Sequence, residues 1–357
     1  MKGGLSLKTI IRVIAVIIIF TVVGFFINIS EDHEDGLTNQ NRSSTDTAQS
    51  TQGTLPEEGA ATIQTEGLIN LIGKSSKELE ADLGKPVRVD LSAYGYKWWI
   101  YHINTDKYVQ VGVEADKVVT IFAIGKDVNI RPFYIGQPVS EIYAGYTIET
   151  IFNLNYKDTT YQFELSEEDI NSRPLIRLGN VFVQLYIDKF SGKLSSVRLM
   201  DIPTLIKLRP FELANKELKA AKNNVEVDPE ELAKDNERQV FDLINTVRMR
   251  FDLKPLLWDD NAAMIAYEQS VNMSENNGGS QPSIQPEELL ERLKAVESNI
   301  QTAEVIVASD YLDAPAVVEG LLNSIAHREK ILNKDYSHTG IGVYKTYYTQ
   351  NLLQVLK

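Results

Sequence analysis

The chain contains no cysteine. That absence excludes disulfides, thiolate metal sites, cysteine nucleophiles and lipid attachment through a cysteine. Small domains secreted by animals and plants usually depend on disulfides, so a cysteine-free exported chain is more typical of a Gram-positive bacterium. The 357 residues suffice for two or three domains, and the apolar content of 43% is typical of globular protein.

Basic residues are scarce relative to acidic ones. The sequence has 36 Lys and Arg against 49 Asp and Glu, which gives a net charge of -13. Nonspecific binding to nucleic acid depends on cations that neutralise phosphates. The charge balance therefore argues against a nucleic-acid partner.

One long apolar run is present, over residues 9–29. About twenty helical residues at ~1.5 Å each span the roughly 30 Å hydrocarbon layer of a bilayer. We therefore predict an N-terminal transmembrane helix, with residues 1–29 forming a cytoplasmic stub and an anchor. Arg12 lies near the end of the run, where its long side chain can reach the interface.

The charges that flank this run indicate its orientation. Basic residues precede it and acidic residues follow it, which predicts a cytoplasmic N-terminus and an extracytoplasmic globular part. A cleaved signal peptide is the alternative, but no small-residue cleavage site follows the run. A single-pass anchor in the cell membrane is the favoured interpretation. The flanking charges are Lys2, Lys8, Arg12, Glu31, Asp32, Glu34 and Asp35.

Residues 30–65 are mostly polar, acidic or glycine. A segment this poor in apolar side chains cannot bury enough surface to offset its chain entropy. We predict a disordered stalk that holds the globular region away from the membrane.

A repeated pattern follows the stalk. In IGKSSKELEADLGKP, Ser75 and Glu78 have the spacing of a capping box that begins a helix. The IGK around Gly73 returns as IGQ around Gly136, and strand-like runs follow both. Two copies of one helix-plus-antiparallel-sheet unit are predicted. The copies cover residues 66–126 and 129–203, and the strand-like runs of the first are 96–102, 108–113 and 118–124.

The densest aromatic cluster lies in YGYKWWIY. Alternation along a strand places Tyr94, Tyr96 and Trp98 on one face, and Trp99 and Tyr101 on the other. Packing of both faces is the favoured interpretation, because aromatic strands ordinarily belong to the core. An exposed aromatic platform for a glycan or peptide is the alternative.

The region 66–203 resembles the CAP-associated N-terminal domain of Bacillus-type bacteria. The resemblance rests on IGKSSKELEADLGKP, YGYKWWIY and VGVEADKVVTIFA. Residues 204–236, rich in Lys, Glu and Ala, are helical in tendency and predict a linker helix to the next domain.

A second resemblance covers residues 237–357. INTVRMRFDLKPLLWDDNAAMIAYEQSVNM, GLLNSIAHREKILNKDYSHTGIGVY and YYTQNLL resemble the bacterial form of the CAP superfamily of cysteine-rich secretory, antigen 5 and pathogenesis-related 1 proteins. The resemblance implies an α-β-α sandwich, so the chain is predicted to be α+β. The implied sheet is central and antiparallel and includes residues 305–308, 339–343 and 348–355.

The resemblance also implies a cleft, and its usual residues are incomplete here. Gln281 occupies the position of a family histidine, whereas Glu304 matches the cleft glutamate. Ser324 and His327 match a bacterial Ser-x-x-His motif, and Tyr347 stands where eukaryotic members have a second histidine.

A zinc site needs three or four histidine or carboxylate ligands. Glu304 and His327 supply two, His338 is a less suitable third, and Gln281 is a poor ligand. We expect no metal and no other cofactor.

Ser324 and His327 are three residues apart on a predicted helix, so their side chains can meet. With Glu304 they would resemble a Ser-His-acid arrangement. A structural polar network is the favoured interpretation, because no oxyanion-hole signature is visible.

These patterns favour a non-catalytic binding or scaffolding role at the cell envelope, toward an unidentified protein, peptide or glycan. Two alternatives stay open. One is a metal-assisted or serine-type hydrolase, protease or wall-active, that uses Glu304 and His327. The other is a lipid- or metal-binding sensor domain.

Overall fold

A computed structural model describes residues 37–38, 64–104, 106–215, 225–276 and 284–356. The predicted membrane helix and most of the predicted stalk lie outside these ranges. Within them, no helix combines the length and the apolar character that crossing a bilayer requires. Inside the predicted stalk, Leu37–Thr38 forms a strand, β1, that pairs in parallel with Ala308 and Ser309.

The first repeat opens with a 3-10 helix, Gly67–Leu71, followed by α1 and four strands. Ser75 and Glu78 form the predicted capping box at the start of α1: Ser75 Oγ accepts from Glu78 N, and Glu78 Oε2 accepts from Ser75 N. The elements are α1 Ser76–Leu83, β2 Arg88–Asp90, β3 Lys97–Asn104, β4 Lys107–Glu114 and β5 Lys117–Ile124.

The second repeat adds a hairpin to the same plan. Its last three strands join those of the first repeat in a seven-stranded sheet of order β2-β3-β4-β5-β10-β9-β8. The hairpin β6-β7 forms a separate three-stranded sheet with β11. The elements are α2 Val139–Gly145, β6 Ile151–Tyr156, β7 Thr159–Glu164, α3 Glu167–Ser172, β8 Leu175–Leu178, β9 Val181–Asp188, β10 Lys193–Met200, α4 Ile202–Leu208 and β11 Glu212–Leu213.

The two repeats make equivalent contacts at their echoing glycines. Gly73 N donates to Val118 O at 2.8 Å, and Gly136 N donates to Leu194 O at 2.8 Å. Both glycines have positive φ, +85° and +90°, a conformation that favours glycine. In each repeat the glycine N–H therefore bonds the segment before the helix to the last strand of that repeat. These last strands, β5 and β10, pair with each other.

The aromatic strand β3 divides its side chains between two cores, as the alternation predicts. Tyr96 and Trp98 are buried in one core, with Tyr94 packed against them, whereas Tyr101 is buried in the other with Trp99 beside it. Tyr96, Trp98 and Tyr101 each expose 2% of their surface or less. The packing interpretation is confirmed, and the exposed aromatic platform is wrong because burial removes these rings from solvent.

The predicted linker helix over residues 204–236 is not one helix. Its first part is the end of α4 and the strand β11, and a separate helix begins at Pro229. Asp228 caps that helix by accepting from Glu230 N and Glu231 N. Proline is favoured at a first helical position because its missing N–H costs nothing there. The helix continues without a break past the expected domain boundary at residue 237.

The C-terminal domain has helices on both faces of a sheet of order β1-β13-β15-β14-β12. Its three central strands are antiparallel, as expected, but β1 and β12 pair in parallel at the edges. Helices α6 and α7 pack on one face, and α5, α8 and α9 pack on the other. The elements are α5 Pro229–Arg250, β12 Leu257–Trp258, α6 Asp260–Glu275, α7 Pro286–Lys294, β13 Ile300–Ser309, α8 Ala314–Leu322, α9 Ile325–Ile331, β14 His338–Tyr344 and β15 Tyr347–Val355.

Polar contacts join the two domains, and one of them is buried. Arg198 of β10 pairs with Asp313, at the start of α8, with Nη2 and Oδ1 2.6 Å apart. Asn323 accepts from Lys189 N at 3.0 Å and donates to Ile187 O at 2.8 Å. Such directional bonds fix one relative placement of the domains.

Candidate functional site

Glu304 lies on β13, on the sheet face that packs against α5, α8 and α9. It is opposite Leu352, which is opposite Thr339. Its Oε2 is 3.0 Å from Nζ of Lys330, and the exposed fractions of the two side chains are 28% and 15%. No aligned hydrogen bond to Oε2 is present in the described chain, so the contact is an electrostatic one, shielded from much of the solvent.

Ser324 and His327 meet, as their spacing predicts. His327 Nδ1 is 2.9 Å from Ser324 Oγ, and His327 exposes 6% of its surface. Ser324 is the N-cap residue of α9, yet its side chain makes no capping hydrogen bond. The hydroxyl is therefore held by the imidazole and not by the helix terminus.

Lys330 follows His327 by three residues, so both lie near the same side of α9. Its ammonium also donates to Val305 O at 3.4 Å. Burial raises the pKa of Tyr336 to about 12, and the charge of Glu304 adds to the shift. Glu304 is thus part of a small charged and phenolic cluster beneath α9. That Glu304 faces His327 itself stays a prediction.

The remaining predicted cleft residues do not share this face. His338 is opposite Leu353, and Tyr347 is opposite Ser309, positions whose side chains point toward α6 and α7. His338 Nδ1 is 2.9 Å from Ser337 Oγ. The predicted single cleft is therefore divided between the two faces of the sheet. Gln281 lies outside the described residues.

Metal-ligating side chains are dispersed in the described part of the chain. No group of three or more His, Asp or Glu residues there is placed to hold one ion.

A second site, which the sequence did not reveal, lies beside α5. A cleft of about 390 Å³ is lined by Lys234, Glu237, Arg238, Phe241 and Trp258. Glu237 Oε1 accepts from the backbone N–H of Val343 at 3.0 Å, and burial raises the pKa of Glu237 to about 7. The sequence feature that could have indicated this cleft is the charged set Lys234, Glu237 and Arg238, which has i, i+3, i+4 spacing just before the apolar run of α5.

Two family models match the chain. The model described as CAP-associated N-terminal matches residues 72–211. The model described as cysteine-rich secretory protein family matches residues 241–356.

Two relatives come from Bacillus subtilis (strain 168). The membrane protein YlbC is 43% identical over 291 residues, which are 81% of this chain and 84% of that protein. The protein YkwD is 23% identical over 218 residues, which are 58% of this chain and 82% of that protein.

Two solved structures are similar over most of the chain. An extracellular protein containing an SCP domain from Bacillus anthracis str. Ames is 32% identical, with a TM-score of 0.74, covering 86% of this chain and 100% of that one. A cysteine-rich secretory protein from Staphylococcus aureus is 27% identical, with a TM-score of 0.73, covering 81% of this chain and 95% of that one.

Proposed function

Because this chain belongs to the cysteine-rich secretory protein (CAP) family and carries a CAP-associated N-terminal domain, we propose that it is a membrane-anchored, extracytoplasmic binding or scaffolding protein of the cell envelope. Its partner would be an envelope protein, peptide or glycan. Neither turnover nor a metal cofactor belongs to this role.

The anchored location has two supports. The apolar run of residues 9–29 has the length and flanking charges of a single-pass anchor. One relative is named a membrane protein, and a similar solved structure is named an extracellular protein. Protease added to sealed protoplasts that contain the full chain should digest the globular part. Protection of that part in sealed cells would contradict the orientation.

The ion pair between Glu304 and Lys330 carries the proposal of a non-catalytic role. A general base must reach the proton of a bound reactant or water. The Glu304 carboxylate is 3.0 Å from the Lys330 ammonium, so one of its oxygens already faces a positive partner within the protein. In this arrangement the role of Glu304 is structural, because its contact with Lys330 links β13 to α9.

The corresponding test is hydrolysis. Wild-type protein, Glu304→Gln and a matched Glu329→Gln control, at an exposed position of α9, are incubated with peptide and wall-glycan substrates. The proposal expects no turnover above buffer for any of them. Turnover by the wild type and the control that disappears in Glu304→Gln would contradict it.

A hydrolase is the second candidate, and the contact of Ser324 with His327 favours it. A serine hydroxyl 2.9 Å from an imidazole nitrogen has the geometry of an activated nucleophile. A serine-directed phosphonate probe separates the two functions. Labelling that Ser324→Ala abolishes would support a hydrolase, whereas equal labelling of wild type and variant supports the binding role.

A further inference from the structure

The cleft beside α5 has an aromatic wall that two contacts hold in place. The rings of Trp258 and Phe241 meet edge to face, with their centroids 5.4 Å apart. The indole Nε1 of Trp258 donates to Asp260 Oδ1 at 2.9 Å, and Trp258 is 36% exposed. Because the ring is oriented by these contacts while part of it faces solvent, a ligand meets an apolar surface that is already formed.

Two cations line the same cleft. Lys234 and Arg238 are exposed and lie four residues apart, so they share one side of α5. Arg238 Nη1 is 3.1 Å from Asp235 Oδ1. A guanidinium has five N–H donors, so this ion pair leaves others for a ligand. Both cations can therefore donate to an anionic group in the cleft.

Glu237 supplies a hydrogen-bond acceptor beside these donors. Its Oε1 accepts from Val343 N at 3.0 Å. An ionised carboxylate can accept about four hydrogen bonds, so capacity is left for a ligand hydroxyl. The same bond counts against a peptide that would add to β14, because Val343 is only 1% exposed and its N–H already has this partner.

A sugar ring suits both parts of this lining. Its C–H groups can pack on an aromatic face, which carries partial negative charge, while its hydroxyls find donors and an acceptor at the rim. An aliphatic ligand would instead cover charged groups without pairing them, which costs free energy.

The charges of the lining residues favour a saccharide that is itself acidic. Two cations, Lys234 and Arg238, stand against one carboxyl group, that of Glu237. Burial raises the pKa of Glu237 to about 7, which lessens its repulsion of a carboxylate on the ligand. Charge complementarity therefore points to a carboxylated sugar.

We propose that this cleft binds a saccharide that carries carboxylate groups. The inference rests on the proposed binding function and names its site and ligand class. A sugar ring packs on Trp258, and a sugar hydroxyl donates to Glu237. The carboxylate of the saccharide contacts Lys234 and Arg238. The cleft volume of about 390 Å³ lies within the range of ~300 to 1,000 Å³ that is usual for small-ligand sites.

The test uses the full chain solubilised from membranes and a fluorescent, peptide-free tetrasaccharide of alternating N-acetylglucosamine and N-acetylmuramic acid. Fluorescence anisotropy should detect saturable binding. The same tetrasaccharide with its carboxylates reduced to alcohols should bind at least roughly tenfold more weakly, which corresponds to about 1.4 kcal/mol. Equal affinity for the two would overturn the acidic ligand. Saturable binding of an acidic peptide, with no binding of the tetrasaccharide, would overturn the saccharide.

Variants of the aromatic wall locate the sugar ring. Trp258→Ala should weaken binding of the acidic tetrasaccharide by roughly tenfold or more, whereas Trp258→Phe keeps a ring and should recover most of the affinity. Phe190→Ala removes an aromatic ring that is 48% exposed and lies outside the cleft, and it should bind like the wild type. Circular dichroism checks that each variant folds.

Variants of the cationic rim locate the carboxylate. Lys234→Gln should weaken binding of the acidic tetrasaccharide but leave that of the reduced one unchanged, because only the acidic form has a group for the ammonium. Lys294→Gln, at an exposed lysine outside the cleft, should change neither affinity. Unchanged binding of the acidic tetrasaccharide by both folded Trp258→Ala and folded Lys234→Gln would overturn the proposal.

Failure here is distinguishable from failure of the proposed function. Cleavage of the bound tetrasaccharide that Glu304→Gln abolishes, with binding retained, would remove the non-catalytic role and leave the cleft site intact. No binding, together with no hydrolysis, would remove the cleft site and leave the non-catalytic role intact.

Discussion

The carboxylate of Glu319 accepts a hydrogen bond from Ser196 Oγ at 2.6 Å, across the contact between the two domains. Ser195 Oγ donates to the same oxygen at 3.3 Å. Glu319 exposes only 3% of its surface. The interface therefore contains an ionisable group whose charge depends on pH and whose partners belong to the other domain.

Domain stability should depend on pH through Glu319. Burial raises its pKa from the ordinary 4.5 to about 7. The folded protein then holds a proton that the unfolded chain releases, so this stabilisation is complete below about pH 4.5 and is lost as pH rises through 7. At about 1.4 kcal/mol per pKa unit, the free energy of unfolding of the wild type should fall by roughly 2 to 3 kcal/mol through this group between about pH 5 and pH 8. Glu319→Gln should lack this fall. Urea denaturation across this range measures it.

The control for that experiment is Glu329→Gln, at an exposed position of α9. It should keep the pH dependence of the wild type. If the unfolding free energy of Glu319→Gln changes with pH as steeply as that of the control, the buried carboxyl is not the source of the pH dependence. Glu237, whose pKa burial also raises, remains in both variants and contributes equally.

The pair of Arg198 and Asp313 should be costly to break. Their side chains are 0% and 6% exposed, and the bond is 2.6 Å long. Asp313→Asn keeps an oxygen for capping α8, since Asp313 accepts from Ala316 N, but it leaves the guanidinium buried without a counter-charge. Such removal costs about 3 to 5 kcal/mol. Thermal denaturation should show this loss for Asp313→Asn.

A matched control is Asp228→Asn, which makes the same change at the exposed cap of α5. We expect a change below about 1 kcal/mol there, because asparagine caps nearly as well as aspartate. Equal losses in the two variants would assign the effect to capping and not to the ion pair.

Packing between α6 and β14 gives a third prediction. A Cβ on Gly340 would overlap the backbone of Ala262 and Ala263. Because overpacking a rigid contact costs about 1 to 3 kcal/mol and sometimes more, Gly340→Ala should destabilise the protein by at least about 2 kcal/mol. Gly145→Ala, at an exposed site with no atom near the new Cβ, should be close to neutral. Urea denaturation of both variants tests the contrast.

Local sequence patterns predicted the parts of the fold that depend on local geometry. The capping box at Ser75 follows from residue types at fixed spacing, and so does the meeting of Ser324 with His327. Both family resemblances are confirmed by the matching models. The equivalence of Gly73 and Gly136 could be read from the sequence because both positions have a positive φ. That backbone conformation favours glycine, so both copies of the motif have glycine at this position.

The rest of the candidate site depends on register between distant strands. His338 and Tyr347 face away from Glu304 because β15 fixes which residues of β13 and β14 share a face. A shift of one residue would reverse every side chain, and no local pattern specifies it. The partner of Glu304, Lys330, depends on how α9 docks under the sheet. The Glu237 contact likewise requires α5 to lie along β14.

The ion pair of Glu304 and Lys330 gives the last prediction. Lys330→Met removes the ammonium and leaves a partly buried carboxylate, so the variant should lose about 1 to 3 kcal/mol of stability. Adding Glu304→Gln removes the charge that was left, and the double variant should recover part of this loss. A double-mutant cycle by urea denaturation measures the coupling directly. Additive effects of the two changes would show that the 3.0 Å contact contributes nothing to stability, and the structural role proposed for Glu304 would then be wrong.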